Sequence, residues 1–311
     1  MRQYMVCGQV VVDRVMPHGK QAQPEIRLGG GVMYAVAGLK IWTDACGAAA
    51  YTGRDFPEYY GNWLSENGIA ADGFIPRFEH TNRADLFYLP NGTHAMGPGD
   101  PNYMNGGDLP DWQLVEPFLR GPGEKALHLI GADLTELLKQ LQAERAKGLL
   151  VGYEMDPDES IPDMPEYIRQ VTDHWVDFFS LSCEEVKGIV PGVRDLEDAL
   201  EYMCALNCPS FFRAGTQGAY MIAGHKAHYS PMIDVFGSKD PTGCGNSSTA
   251  AAFYAMCEGH SPRYASMIGA VTASLNASCV GLVPRIDLQT RQRCLRLARD
   301  YDANFQQEEL N

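Results

Sequence analysis

The sequence predicts an α/β fold: a mostly parallel central sheet with helices on both faces and a small lid of β-strands. Three observations carry that expectation. Short apolar runs alternate with helical patterns along most of the chain. Two polar, turn-rich stretches interrupt the alternation. A long helical region begins in the 240s and lasts almost to the end, broken at Gly259–Pro262. The 311 residues suffice for one large domain of this kind, and 45% hydrophobic with 21% charged residues is an ordinary globular composition.

Tyr4–Asp13 (YMVCGQVVVD) is Val-rich, short and ends in a polar residue, as a buried strand does. Met16–Leu28 is polar and broken by Pro and Gly. A triple glycine, Gly29–Gly31, opens a helical stretch to Trp42. Asp44–Gly53 reads as a strand and turn, and Pro57–Ile69 as a helix ending near Gly68. From Thr81 to Asp108 turn residues surround a short apolar strand, and Asn91–Gly92 is a hairpin signal. Asp13–Leu28 and Arg83–Met96 are expected to leave the main sheet together as the lid, which spans about 13–28 and 83–108; two unrelated surface loops are the alternative. After Leu109 the order is regular: strand Lys125–Ala132, helix Leu134–Gly148, strand Leu149–Pro157, helix Pro165–His174, strand Val176–Ser182, helix start Cys183–Ile189, helix Asp195–Asn207, then the strand–turn–strand Ser210–Ile222. No internal repeat or low-complexity linker divides the chain, and one domain over residues 1–311 is the economical reading.

The formal net charge of −14 argues against nucleic-acid binding through general electrostatics. No apolar run approaches the roughly 18 residues of a membrane span, and the opening residues read as a first strand rather than a secretory signal. Nine scattered cysteines, an odd number, suit free thiols in a reducing cytoplasm.

Gly29–Gly31 lack the third glycine of a dinucleotide fingerprint, since Tyr34 stands in its place, and no Walker motif occurs. The strong signal is DPTGCGN, Asp240–Asn246, followed by an alanine-rich helix. Gly243 and Gly245 permit backbone shapes that other residues resist. The N–H groups of Gly243, Cys244 and Gly245 can converge on an oxyanion at the positive end of that helix. A glycine-rich turn before a packed helix is the alternative.

This segment resembles the C-terminal signature of the PfkB (ribokinase-like) carbohydrate kinases, Asp-Thr-x-Gly-Ala-Gly-Asp. Gly30–Gly31 resemble the family's N-terminal Gly-Gly pair. Glu154–Pro157 resembles a Phe-Asp-Pro-Asn strand end, Ser182–Glu185 the Asn-x-x-Glu motif, and Arg213–Gly218 the Thr-x-Gly-x-x-Gly nucleotide turn. The matches arrive in order over roughly 270 residues. The resemblance implies ATP-dependent phosphoryl transfer to a hydroxyl of a sugar or sugar-like molecule. The terminal phosphoryl would face Gly243–Gly245. Ser182, Arg213, Gly215 and Gly218 would hold the nucleotide. Glu185 would place Mg²⁺ through water, and Asp240 and Thr242 would suit a monovalent cation such as K⁺ in members that use one. Asp13, Gly30, Gly31 and Arg83 would bind the acceptor under the lid. Open lid edges suit pairing across a homodimer.

The departures concern the chemistry. The signature's last acid, the general base of the family, is Asn246 here, and an amide cannot take a proton near neutral pH. Ala35 replaces the asparagine of the first signature, Ser182 the asparagine of the magnesium motif, and Ser248 the aromatic two residues past the base. A general base contributes about 10²–10⁴-fold, so slow transfer is expected rather than none. Asp13, His94 and Asp108 are other carriers for the proton. Two further readings stand beside a sugar kinase: a silent relative that binds without reacting, and a kinase of a nucleoside-like acceptor, with Tyr34, Phe87, Tyr88 and Tyr103 as stacking faces.

Overall fold

The computed structural model describes residues 2–16, 25–88, 94–96, 107–120, 123–158 and 161–309. Thirteen strands are described: β1 (Tyr4–Cys7), β2 (Val11–Met16), β3 (Glu25–Leu28), β4 (Cys46–Gly53), β5 (Phe74–Phe78), β6 (Asn82–Tyr88), β7 (His94–Met96), β8 (Ala126–Gly131), β9 (Leu150–Met155), β10 (Phe178–Ser182), β11 (Ser210–Arg213), β12 (Ala219–Ala223) and β13 (Lys226–Ser230). The helices are α1 (Gly31–Trp42), α2 (Phe56–Glu66), α3 (Trp112–Leu119), α4 (Thr135–Gln140), α5 (Gln142–Arg145), α6 (Met164–Gln170), α7 (Cys183–Ile189), α8 (Leu196–Ala205), α9 (Cys244–Cys257), α10 (Pro262–Ala277) and α11 (Leu288–Glu309).

Nine strands form one sheet in the order β13-β12-β11-β10-β9-β8-β1-β4-β5. Every neighbour from β11 to β5 is parallel, and only β12 and β13 run antiparallel at one edge. The expected α/β class is therefore realised. The central strands read as continuous apolar runs because helices cover both of their faces. Two apolar cores result, one on each side of the sheet.

The stretch Tyr4–Asp13 is not one strand. It divides at Gly8–Val10, and β2 joins a separate four-stranded sheet in the order β3-β2-β6-β7. Gly8 sits at the departure point, where a Cβ would meet the carbonyl oxygen of Ile130 at 3.1 Å. Asp13 thus lies within β2, opposite Arg27 and Ala84, and not at the end of the first strand. Strand β2 pairs in parallel with β6, so strands from both turn-rich stretches lie in the small sheet. The Asn91–Gly92 turn, Tyr103 and the side chains of Tyr88 and His94 lie outside the described residues.

Helix α9 has buried residues all round, because α1 and α10 flank it. Gly38 admits the close approach of α1: a Cβ there would stand 2.3 Å from the Ser247 carbonyl oxygen. This packing fixes the N-terminus of α9 beside the carboxyl ends of β8–β11, where parallel sheets place their ligands.

Candidate active site

Gly243 caps α9 in the left-handed region, with φ 76°. The Tyr34 ring lies flat against it, and a Cβ on Gly243 would come within 2.1 Å of that ring. Both constraints demand glycine. Tyr34 is buried by this contact and offers no open stacking face. The turn is tight enough that the Cys244 N–H donates to the Pro241 carbonyl at 3.1 Å. Among the described residues the N–H groups of Gly243, Gly245 and Asn246 make no hydrogen bond within the protein. Of the three N–H groups expected to converge on an oxyanion, that of Cys244 is thus used inside the turn, and those of Gly243 and Gly245 are not. Cys244 instead turns its Sγ to the Ala273 carbonyl, and burial pushes that thiol up to about 11.

A charged cluster lies directly beneath. Register places Ser182, at the end of β10, beside Arg213, at the end of β11. Arg213 Nη1 stands 3.0 Å from Glu154 Oε1, and Nη2 donates to Glu185 Oε2 at 3.2 Å. Asn246 Nδ2 donates to the same Glu154 Oε1 at 3.1 Å. His128 Nε2 is 3.5 Å from Glu154 Oε2. Glu154 is 1% exposed. Burial pushes its carboxyl up, but Arg213, His128 and Asn246 outweigh that and hold it below the usual range. Glu154 is consequently ionised, and a carboxylate only accepts, so the Asn246 amide must present its nitrogen to Glu154 and its oxygen elsewhere. Glu185 has a second duty: with Ser182 it forms a capping box at the start of α7, accepting the Ser182 N–H at 2.6 Å.

Behind Arg213 and Gly245 runs a cleft of about 280 Å³. The turn Gly215–Gly218, Met232 and Ile233, and the Ala270–Ala277 side of α10 line it. Most of its wall is apolar, and Arg213 and Asp234 are the charged residues among those that line it. Ser248 lies in its wall and returns its hydroxyl to the Cys244 and Gly245 carbonyls of its own helix. Gly218, at φ 94°, has no room for a Cβ, which would stand 2.3 Å from the Ser230 carbonyl oxygen.

On the other side of Asn246 stand Gly29–Gly31 and the small sheet. A Cβ on Gly31 would lie 3.2 Å from Asn246 Nδ2, and one on Gly29 would overlap the Asp13 carboxylate. Asp13 is 7% exposed. Burial and nearby Asp240 push it up to about 7, against the pull of Arg27. Arg27 Nη1 also reaches Asp240 Oδ2 at 3.7 Å, which ties β3 to the loop before α9. Arg83 donates to the Tyr59 hydroxyl at 2.8 Å and pairs with Asp55 at 3.6 Å. Asp108 is buried and accepts from Asn82 Nδ2.

Solved structures similar to the chain cover nearly all of it. An adenosine kinase from Sinorhizobium meliloti matches 96% of the chain and 99% of its own length, with TM-score 0.73 and 14% identity. The ribokinase of Cryptococcus neoformans in complex with ADP matches 94% and 100%, with TM-score 0.70 and 17% identity. The nucleoside kinase of Methanocaldococcus jannaschii, an archaeal member of the ribokinase family, matches 94% and 98%, with TM-score 0.67 and 19% identity. The chain has the ribokinase-like fold. No family model matches the chain, and no curated protein matches it in sequence.

Within the ribokinase-like fold, the residues singled out from sequence fall into two groups. Gly243, Cys244, Gly245, Asn246, Arg213, Ser182 and Glu185 gather at one point, with Gly215 and Gly218 along the cleft. Gly30, Gly31, Asp13, Asp240 and Thr242 border that point from the side of the small sheet. Arg83 is engaged at the base of α2 by Tyr59 and Asp55. Sequence reasoning missed the roles of Glu154, His128 and Arg27. The signal for Glu154 and His128 was a charged or titratable residue inside an otherwise apolar strand run, LHLIG and VGYEM. Arg27 carried no such signal. Among the described residues no group of three or more His, Cys, Asp or Glu is gathered as a metal cluster, and no helix is long and apolar enough to cross a membrane.

Proposed function

We propose that the chain is a PfkB-type phosphotransferase that moves the terminal phosphoryl of ATP to a hydroxyl of a sugar or sugar-like molecule. The observation that carries this is the cleft. It is apolar for most of its length and ends at a guanidinium and the N-terminus of a long helix. Those are the two halves of a nucleotide's chemistry, a flat weakly polar base and a chain of phosphates. The C. neoformans ribokinase, which shares the fold over 94% of the chain, is in complex with ADP.

In this reading the N–H groups of Gly243, Gly245 and Asn246 hold the transferring oxygens. Asn246 gives its nitrogen to Glu154 and offers Oδ1 to the acceptor hydroxyl, which it aligns without taking its proton. Asp13, with Gly30 and Gly31 beside it, holds other acceptor hydroxyls under the small sheet acting as a lid. Arg83 holds the lid against α2. Phosphoryl transfer depends chiefly on positioning and charge stabilisation, and both survive the loss of the usual base.

The donor set fits Mg²⁺. Glu185 Oε1 is not used by the capping box or by Arg213. Asp156 reaches solvent nearby, and the protein atoms around it together with Glu154 and Glu185 push it up to about 7, a crowding of carboxylates that a cation relieves. One or two carboxylates plus phosphate oxygens is the usual Mg²⁺ arrangement. The ion would neutralise charge on the phosphates as they part. For K⁺, Thr242 Oγ1 and Asn276 Oδ1 are buried without hydrogen-bond partners among the described residues and would suit it beside Asp240. The exposed Ile26 and Phe87 on the small sheet support pairing of that sheet in a homodimer.

Mg-ATP is expected to raise the melting temperature by mass action, with a further rise on adding the correct acceptor from a panel of sugars and nucleosides. An unchanged melting temperature at millimolar Mg-ATP, with no heat of binding by calorimetry, removes the phosphotransferase reading. Binding without any phosphorylated product across the panel replaces it with a silent binder.

A further inference from the structure

Resting on that reading, we infer that Arg213 binds the terminal phosphoryl group and sets the preference of the cleft for a nucleoside triphosphate over a diphosphate. Four observations converge on it. Arg213 is the only lysine or arginine lining the cleft among the described residues. Its guanidinium overlies the first turn of α9: a Cβ on Gly245 would stand 2.2 Å from Nη1. Gly245 is thus the residue that admits the guanidinium to the helix N-terminus. The Arg213 Nε is buried and has no hydrogen-bond partner among the described residues. Finally, Glu154 and Glu185 each hold one of its terminal nitrogens, at 3.0 and 3.2 Å.

Those two carboxylates fix the plane of the fork. A guanidinium has five donors, and the two ion pairs leave the others for an anion. An arginine held in this way loses little freedom when a phosphate arrives, and it recognises phosphate through paired donors rather than as a point charge. Its position beside the free N–H groups of Gly243, Gly245 and Asn246 puts side-chain and backbone donors around one oxyanion. In a chain of net charge −14 it also supplies the local positive charge that a polyphosphate requires. The competing account is structural: Arg213 neutralises Glu154 and nothing more.

The test is calorimetric titration of Mg-ATP and of Mg-ADP into wild type, Arg213→Lys, and the double variant Glu154→Gln/Arg213→Met. The double variant removes both buried charges together, since removing the arginine alone would leave Glu154 buried and uncompensated. Arg213→Lys keeps the charge and loses the fork. Wild type is expected to prefer ATP. In the double variant ATP binding is expected to weaken about 10- to 100-fold, the worth of a charge-assisted hydrogen bond, with ADP binding changed by less than about threefold. Arg213→Lys is expected to lie between the two. Equal weakening for ATP and ADP, or unchanged ATP binding in a variant that melts cooperatively, overturns the inference and leaves the phosphotransferase reading intact. Absence of nucleotide binding by wild type overturns both.

Discussion

The two sides of the candidate site are built from different materials. On the side proposed for the nucleotide the available groups are largely backbone N–H groups, glycine turns and apolar walls, carried on contiguous segments such as Asp240–Asn246 and Gly215–Gly218, with Arg213 as the cationic side chain. On the side proposed for the acceptor they are side chains from distant segments, and buried charged and polar groups face one another. Asp13 faces Arg27 and Asp240, Asp108 faces Asn82, and Arg83 faces Asp55. A backbone site tolerates sequence change as long as its few glycines stay. A side-chain site can be retuned by single substitutions, and Asn246, where the chain departs from the last acid of the signature it resembles, stands between the two.

Glu154 stands beside the residue at which the signature departs. A carboxylate already stands 3.1 Å from the Asn246 amide nitrogen. An aspartate at 246 would bring two carboxylates together in a buried place, where they share one proton. The buried carboxylate at this point of the structure is on β9 and not on α9.

The largest effect is therefore expected from moving it to α9. The double variant Glu154→Gln/Asn246→Asp should raise turnover by about 10²–10⁴-fold, the contribution of a general base. Asn246→Asp alone should gain far less, because Glu154 raises the new carboxyl's pKa. Steady-state kinetics on the two variants decide it: equal gains would mean that Glu154 exerts no such influence. The next effect tests the rigidity of the nucleotide side. Gly243→Ala combines a left-handed backbone with a clash into Tyr34, and it should lower unfolding stability by about 2–5 kcal/mol. A denaturant midpoint within experimental error of wild type would refute that account of the loop.

The smallest effect tests the charge crowding of the acceptor side, through pH. Asp13 titrates at about 7 in the fold and about 4 when unfolded. Between those values the native state holds a proton that the unfolded chain has released, so the contribution of Asp13 to stability falls as pH rises from about 4 to about 7, then levels. The slope from this group is at most ~1.4 kcal/mol per pH unit. Asp13→Asn removes it, so the stability of the variant relative to wild type should increase across that window. Parallel stability curves for the two proteins would show that Asp13 is not held up in this way.

The alternation of apolar runs and helical patterns made the layered α/β class legible in the sequence, because a sheet covered on both faces needs uninterrupted apolar strands. Gly243 marked the tight turn before α9 for a local reason too, since positive φ is written into the residue that adopts it. Even the separation of the small sheet showed as a change of composition. What the sequence could not show was how one apolar stretch divides. Tyr4–Asp13 has a single pattern, yet Gly8–Val10 carries the chain from one sheet to another, with Gly8 passing close against Ile130 of β8. Nor could it show the cluster of Glu154, Arg213, Glu185 and Asn246. Those residues lie on four segments up to 92 positions apart, and only the parallel register of β9, β10 and β11 under the first turn of α9 brings them within hydrogen-bonding distance. Local conformation depends on neighbours in the chain, and the sequence determined it. The electrostatics of the site depend on distances across the sheet, and only the tertiary structure decided those.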